Sequence, residues 1–87
     1  MSYFTYVLQS QKTGRYYVGS ATNIPARLKR HNSGYVRSTK AGLPYILVYQ
    51  EEHPTKQDAY RREREIKRYK GGNAFKKLVQ SSHSGIV

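Results

Sequence analysis

The sequence contains no cysteine, which excludes a disulfide framework and any zinc site built from thiolates. It also has no charged N-terminal segment followed by an apolar run of signal-peptide length. No stretch approaches the roughly 18 to 20 apolar residues that are needed to span a bilayer. We therefore expect a cytoplasmic protein that has no membrane partner.

Acidic residues are scarce in this chain. Five Asp and Glu stand against 16 Lys and Arg, so the formal charge is +11 on 87 residues. A charge of this sign and size favours a polyanionic partner, because each phosphate neutralised by a cation releases condensed counterions. Nucleic acid is favoured over an anionic membrane, because no helical segment combines a basic face with a large apolar face.

Several catalytic motifs are missing as well. The sequence has no Gly-rich phosphate loop of the GxxxxGKS/T type, no HExxH and no GxSxG. It also lacks the cluster of two or three acids that a two-metal nuclease needs. Phosphodiester chemistry by this chain would therefore use one metal ion at most.

The length indicates a single domain with a modest core. We expect this domain over residues 1–80, followed by a flexible tail over residues 81–87 that has too few apolar residues to pack firmly. Only 37% of the residues are apolar, even with the nine tyrosines counted, so part of the core should be phenolic.

Aromatic and β-branched residues mark the strands. Residues 3–9 and 15–19 are separated by turn-forming residues and predict a β-hairpin. We expect the register that places Tyr6 opposite Tyr17, so that both phenols project from one face. Residues 45–49 form a continuous apolar run, typical of a strand covered on both faces, and we expect it to be the middle or most buried strand of the sheet.

Capping residues and glycines mark the helices. Asn23 caps a helix that runs to about residue 32, and residues 34–44 form a loop with one helical turn. A capping box begins the longest helix, over about 56–70. A last short helix, over about 74–80, presents one apolar face.

Glu63 is the first candidate for chemistry. At helical spacing it falls on the same arc as Ala59, Ile66 and Lys70, and this arc faces the sheet. An inward carboxylate is costly unless it pairs with a cation or binds a hard metal ion such as Mg²⁺. Two interpretations stay open, a metal ligand or an ion pair with Arg27 or another cation.

Four further residues can carry chemistry, and each has a structural alternative. Tyr6 and Tyr17 act as a base or nucleophile if nearby positive charge lowers the phenol pKa, which is ordinarily near 10. Otherwise they are core aromatics. Arg27 either stabilises a pentacoordinate phosphate or is a solvated helix cation. His31 either orients a phenol or transfers a proton, or it interacts with the helix dipole. Arg27 and His31 are four residues apart, a spacing from which both can reach one phosphate.

Seven more cations are candidates for binding a nucleic-acid backbone. Such contacts need positive charge but read no base sequence. The candidates are Arg15, Lys29, Arg30, Arg37, Lys40, Arg62 and Lys67.

The order of these features resembles a known family. It is similar to the GIY-YIG nuclease superfamily over about residues 3–79, in the triplets FTY (4–6) and YVG (17–19), in Asn23, Arg27 and His31, and in the helix segment AYRREREIK. The chain looks most like the small single-domain bacterial members, which are related to the nuclease domain of the excision-repair protein UvrC.

The resemblance implies an α+β fold, with a small three-stranded antiparallel sheet flanked by about three helices. It also implies a metal-dependent endonuclease that hydrolyses DNA phosphodiester bonds in repair or recombination. Tyr6, Tyr17, Arg27 and His31 would then be catalytic, with a tyrosine helping to activate water. Glu63 would be both catalytic and the single protein ligand of Mg²⁺ or Mn²⁺.

The partner expected from this resemblance is DNA, including branched or damaged forms, while RNA stays open. Such a protein would be cytoplasmic or associated with the nucleoid, and a second protein would be a source of targeting. The alternative is a basic nucleic-acid-binding module of the same fold without significant cleavage.

Overall fold

The computed structural model describes residues 2–34, 36–37, 39–68 and 72–86. Within these residues, one antiparallel sheet has the strand order β2-β1-β3. The strands are β1 (Tyr3–Ser10), β2 (Tyr16–Ala21) and β3 (Tyr45–His53), and the helices are α1 (Ile24–Asn32), α2 (Lys56–Arg68) and α3 (Asn73–Ile86). A short 3-10 helix, Lys40–Gly42, precedes β3. The expected α+β fold with a three-stranded antiparallel sheet is confirmed.

β1 is the middle strand, so the prediction that residues 45–49 occupy the middle is wrong. Residues 5–8 of β1 are all buried, because helices cover both faces of this strand. The apolar run of β3 lies at an edge, and Ile46 within it is 41% exposed. An apolar run therefore indicated a strand correctly but did not show its position in the sheet.

The predicted hairpin forms, with a register that differs from the expected one. Tyr6 pairs with Gly19, and Tyr17 pairs with Leu8. The expected pairing of Tyr6 with Tyr17 is therefore wrong. Because side chains alternate with a period of two, this shift still leaves both phenols on the same face of the sheet.

The turn of the hairpin accounts for the register. Ser10 N donates to Arg15 O at 2.8 Å, and Gly14 N donates to Ser10 O at 2.9 Å. Gly14 has a φ of 78°, a conformation that glycine adopts at no steric cost. The loop therefore closes at Ser10 and Arg15.

Two apolar clusters cover the two faces of the sheet. The first packs α2 and α3 against the sheet, and its buried residues are Val7, Val18, Val48, Ile66, Phe75 and Val79. The second packs α1 against the opposite face, and its buried residues are Tyr6, Leu8, Ile24 and Tyr45. Two of these four are tyrosines, so the core is partly phenolic, as the composition predicted.

The predicted helix starts are confirmed. Asn23 Oδ1 accepts a hydrogen bond from Ala26 N at 3.0 Å, and Thr55 Oγ1 accepts one from Asp58 N at 3.1 Å. The expected end of α2 near residue 70 lies outside the described residues. None of the helices in the described parts of the chain is long and apolar enough to cross a membrane.

The last helix is longer than the sequence indicated. It runs to Ile86, whereas the sequence places its end near residue 80. Its apolar face forms as expected, with Phe75 and Val79 buried and Leu78 packed beside them. The division into a domain over residues 1–80 and a flexible tail over residues 81–87 stays a prediction.

Candidate active site

A groove opens where β1 begins and β2 ends, and the first turns of α1 and α2 form its walls. Its volume is about 320 Å³. Arg27 reaches it from α1 and Lys56 from α2, so two cations line it. The remaining lining residues are Tyr3, Ser20, Ala21, Thr22 and Ala59. A groove of this charge suits a phosphate group.

Tyr6 of β1 is the centre of the site. Its side chain is only 1% exposed. Burial raises the pKa of Tyr6 to about 12, and the nearby Tyr17 adds to the shift. The Arg27 guanidinium opposes this shift through its charge and through a hydrogen bond to the hydroxyl, whereas Glu63 raises the pKa further. Three of the predicted site residues therefore influence the pKa of a fourth.

Gly19 makes room for this arrangement. It lies opposite Tyr6 in the sheet, and a Cβ atom added there would be 2.6 Å from Tyr6 Oη and 3.2 Å from a ring carbon of Tyr17. Tyr6 is buried and cannot move aside. The glycine that closes the second triplet is therefore required by the packing of the two phenols.

His31 of α1 lies on another side of the Tyr6 hydroxyl. Its Nε2 is 3.2 Å from Tyr6 Oη, and its Nδ1 is 3.0 Å from Thr39 Oγ1. Burial lowers the pKa of His31, and the charges of Arg27 and Arg30 lower it further. The imidazole is therefore neutral at pH 7, and the Tyr6 hydroxyl is one of its two hydrogen-bond partners.

The expectation that Arg27 and His31 reach one phosphate is wrong. Arg27 lines the groove, but His31 is only 1% exposed and lies among core side chains. Its ring also meets Tyr17 edge-on, with 4.7 Å between the ring centroids. Among the roles considered from the sequence, this position favours the orientation of a phenol.

Glu63 points inward from α2, as its spacing predicted. Ala59 and Ile66 on the same arc are buried, while Lys70 lies outside the described residues. The Glu63 side chain is 12% exposed, and its Oε2 is 2.7 Å from Lys67 Nζ. The ion pair weighed from the sequence is therefore present, with Lys67 rather than Arg27 as the partner.

The donor atoms at Glu63 fit one hard cation. The described residues contain no group of three or more His, Cys, Asp or Glu that could hold a metal ion by itself. Mg²⁺ commonly binds one or two protein carboxylates and completes its shell with water and substrate phosphate. The Lys67 side chain is 51% exposed, so it can leave Glu63 without disturbing the core. Glu63 would then hold Mg²⁺ or Mn²⁺ together with water and a substrate.

A buried threonine holds α2 against the site. Thr5 Oγ1 donates to Ala59 O at 2.7 Å, and Thr5 is fully buried beside Tyr6 in the chain. This bond ties the helix that carries Glu63 to the strand that carries Tyr6. Thr5 is the middle residue of the first triplet, but its hydroxyl gave no signal of this role in the sequence.

The seven predicted backbone-binding cations lie outside the groove. Six of them are exposed: Arg15, Lys29, Arg30, Arg37, Lys40 and Lys67. Two of the seven form ion pairs, Arg62 Nε with Glu51 Oε1 and Lys67 Nζ with Glu63 Oε2, each at 2.7 Å. The sequence reasoning missed Lys56 as a site residue, because a lysine at the start of a helix is ordinarily solvated.

Comparisons with known proteins place the chain in a family. A family model described as the GIY-YIG catalytic domain matches residues 2–76. The chain belongs to the GIY-YIG family. The domain is that of a nuclease-like family. The triplets FTY and YVG stand where the family name has GIY and YIG. The described non-glycine residues show no positive φ, so Phe4 in place of the first glycine causes no backbone strain.

The relatives of this GIY-YIG chain are small single-domain proteins. UPF0213 proteins of Staphylococcus aureus strains Mu3 and COL are 42% identical to it over 69 residues, which is 78% of this chain and 83% of each relative. The solution NMR structure of the UPF0213 protein BH0048 from Bacillus halodurans is 30% identical, with a TM-score of 0.53. That match covers 93% of this chain and 84% of the other.

Proposed function

We propose that this GIY-YIG protein is a metal-dependent endonuclease that hydrolyses DNA phosphodiester bonds, in the cytoplasm and in repair or recombination. One observation carries the proposal. His31 Nε2 lies 3.2 Å from the hydroxyl of Tyr6, the pKa of this hydroxyl responds to Tyr17, Arg27 and Glu63, and two cations line the groove that Arg27 enters. A fold kept only for binding has no need to gather these groups around one buried phenol.

The two tyrosines take different parts in the reaction. With a pKa of about 12, Tyr6 stays protonated at pH 7 and serves as a hydrogen-bonding group rather than a base. Tyr17 is only half-buried, so we assign it, rather than Tyr6, to the water that attacks the phosphorus. Tyr17 therefore accepts a hydrogen bond from this water, and His31 holds Tyr6 in place.

Arg27 and Glu63 act on the phosphate. The Arg27 guanidinium in the groove donates to a non-bridging phosphate oxygen and stabilises the charge that develops in the transition state. Glu63 would hold Mg²⁺ or Mn²⁺, which when bound supplies positive charge and orients the scissile phosphate. Lys67 then has to leave its ion pair with Glu63 and contact solvent or the DNA backbone instead.

The test is cleavage of labelled duplex, single-stranded and branched DNA in Mg²⁺, Mn²⁺ or EDTA. We expect EDTA to abolish cleavage by the wild type. We expect Glu63→Ala and Tyr17→Phe to reduce it at least about 100-fold, because each removes an interaction made in the transition state. DNA affinity, measured by fluorescence anisotropy, should be retained.

Glu65→Ala is the matched control, since Glu65 lies on the same helix with its side chain 51% exposed. It should cleave as the wild type does. Metal-independent cleavage, or equal activity of Glu63→Ala and Glu65→Ala, would contradict the proposal.

The second candidate is a nucleic-acid-binding module of the same fold. The ion pair of Glu63 with Lys67 favours it, because a carboxylate kept only for structure would form such a pair. Under this alternative the wild type binds DNA and cleaves none of the three substrates with either metal. Under either function, DNA is the expected partner and RNA a competing one, and the same binding assay with labelled RNA distinguishes them.

A further inference from the structure

Thr39 lies behind the site, on the side of His31 that faces away from Tyr6. Thr39 is fully buried. It immediately precedes the 3-10 helix Lys40–Gly42, at the position where a threonine hydroxyl ordinarily caps the helix. Here the hydroxyl makes no capping bond. It is 3.0 Å from His31 Nδ1 instead.

The hydroxyl of Thr39 has a single hydrogen. The group to which Thr39 donates this hydrogen decides whether Thr39 is the donor or the acceptor towards His31. Thr39 Oγ1 donates to Val36 O at 3.3 Å, and a carbonyl oxygen can only accept. Thr39 Oγ1 is therefore the acceptor towards His31, and Nδ1 carries a hydrogen. Because the imidazole is neutral, Nε2 carries none and accepts the hydrogen of the Tyr6 hydroxyl at 3.2 Å.

The same donor and acceptor assignment extends to Arg27. The Arg27 guanidinium lowers the pKa of Tyr6 and has only donors, so the phenol oxygen has to be the acceptor wherever the two groups meet. The oxygen can do so because its own hydrogen is directed at His31. In the other tautomer, Nε2–H would donate to Tyr6, and the phenol hydrogen would turn towards Arg27. Two donors would then face each other.

We propose that Thr39 is a positioning residue that selects the Nδ1–H tautomer of His31, and that this tautomer makes Tyr6 an acceptor for Arg27. The chain of donors runs from Arg27 to Tyr6, His31, Thr39 and Val36. It connects a loop residue of the α1–β3 connection to the cation that holds the phosphate. Its effect on cleavage rests on the proposed function, whereas the tautomer itself does not.

The direct test is nitrogen NMR of the His31 ring in the full chain at pH 7, where the two nitrogens of a neutral imidazole are distinguished by their shifts. We expect a protonated Nδ1 and an unprotonated Nε2 in the wild type. Thr39→Ser keeps the hydroxyl and should keep this pattern. Thr39→Val removes the acceptor and should give a mixture or the Nε2–H form.

Thr5→Val is the matched control. Thr5 is equally buried and also donates its hydroxyl to a backbone carbonyl, but it does not contact His31. It should lose a comparable amount of stability in denaturant unfolding and leave the His31 tautomer unchanged. If the tautomer changes as much in Thr5→Val as in Thr39→Val, a general loss of packing causes the change, and the Thr39 hydroxyl does not.

The kinetic test compares kcat and KM. We expect kcat of Thr39→Val to fall about 100-fold, the scale on which misoriented catalytic groups act, and Thr39→Ser to restore most of it. A wild type with the Nε2–H tautomer overturns the inference, even if Thr39→Val does not fold. An unchanged tautomer in a folded Thr39→Val also overturns it. A wild type that cleaves nothing refutes the proposed function alone.

Discussion

At the scale of single residues, Tyr6 belongs both to the core and to the site. Its ring is one of the largest fully buried side chains, its hydroxyl contacts His31, and Arg27 lowers the pKa of this hydroxyl. Burial excludes water from the hydroxyl and so strengthens each hydrogen bond made to it. The same burial disfavours the phenolate and makes stability depend on pH.

We expect the free energy of unfolding to fall above about pH 10. The folded-state pKa of Tyr6 is raised from 10.0 to about 12, so its contribution is fully present below pH 10 and is lost as the pH rises towards 12. Tyr49 has a similar shift, to about 12, and acts in the same direction. Denaturant unfolding between pH 8 and 11 checks this, because Tyr6→Phe should weaken the pH dependence. An unchanged dependence in this variant would contradict the assignment.

The sequence identified most of the residues that meet at the site, but not the contacts that orient them. Glu63 was found because helical periodicity shows which face is buried, and the spacing of Arg27 and His31 follows from the same geometry. Thr39 was missed, because its contact with His31 depends on how an irregular loop folds back. The register of Tyr6 was missed too, because it depends on where the hairpin turn closes.

At the scale of elements, a second polar cluster joins β3 to α2. Glu51 on β3 accepts hydrogen bonds from Tyr49, His53 and Arg62, the last at 2.7 Å from helix α2. Burial would raise the pKa of Glu51, but these three donors outweigh it and lower the pKa. The cluster holds the edge strand to the helix that carries Glu63.

We expect Glu51→Ala to lower the free energy of unfolding by about 2 kcal/mol, since it removes charge-assisted hydrogen bonds in a partly buried place. The neighbouring Glu52→Ala is the control. Glu52 is exposed on the same strand, so its substitution should change stability by no more than about 0.5 kcal/mol. Thermal or denaturant unfolding measures both, and equal effects would show that the cluster does not stabilise the fold.

Local patterns predicted which elements form, whereas their arrangement depended on distant partners. The starts of α1 and α2 follow from caps within a few residues, and both were correct. The position of β3 at an edge depends on which strands pair with β1, and no pattern within residues 45–49 records this. The helix continues from residue 81 to Ile86, although the composition of this segment has too few apolar residues to predict firm packing.

At the scale of the whole molecule, the charge of +11 is carried mainly by exposed side chains. Arg27 and Lys56 are the cations that line the groove, so most of the positive charge is available for contacts around it. Such contacts attract any nucleic-acid backbone and read no sequence. The molecule is therefore expected to bind DNA of any sequence, with an affinity that depends strongly on ionic strength.

We expect the logarithm of the DNA association constant to fall linearly with the logarithm of salt concentration, by about 0.9 per phosphate contacted. Lys56→Ala should reduce this slope by about one contact. Lys12→Ala, an exposed lysine in the β1–β2 turn, is the control for the loss of one charge outside the groove. Anisotropy titrations at several salt concentrations give the slopes. Equal slopes for both variants would show that the groove contacts no phosphate.

The burial of Tyr6 and His31 also bears on how relatives lose activity. A surface catalytic residue can drift to almost anything once it is unused, but these two positions must stay filled because they belong to the core. A relative that has abandoned cleavage should therefore carry apolar residues of similar volume at both positions, changed together. Under the proposed function, such a paired replacement would mark a relative that no longer cleaves DNA.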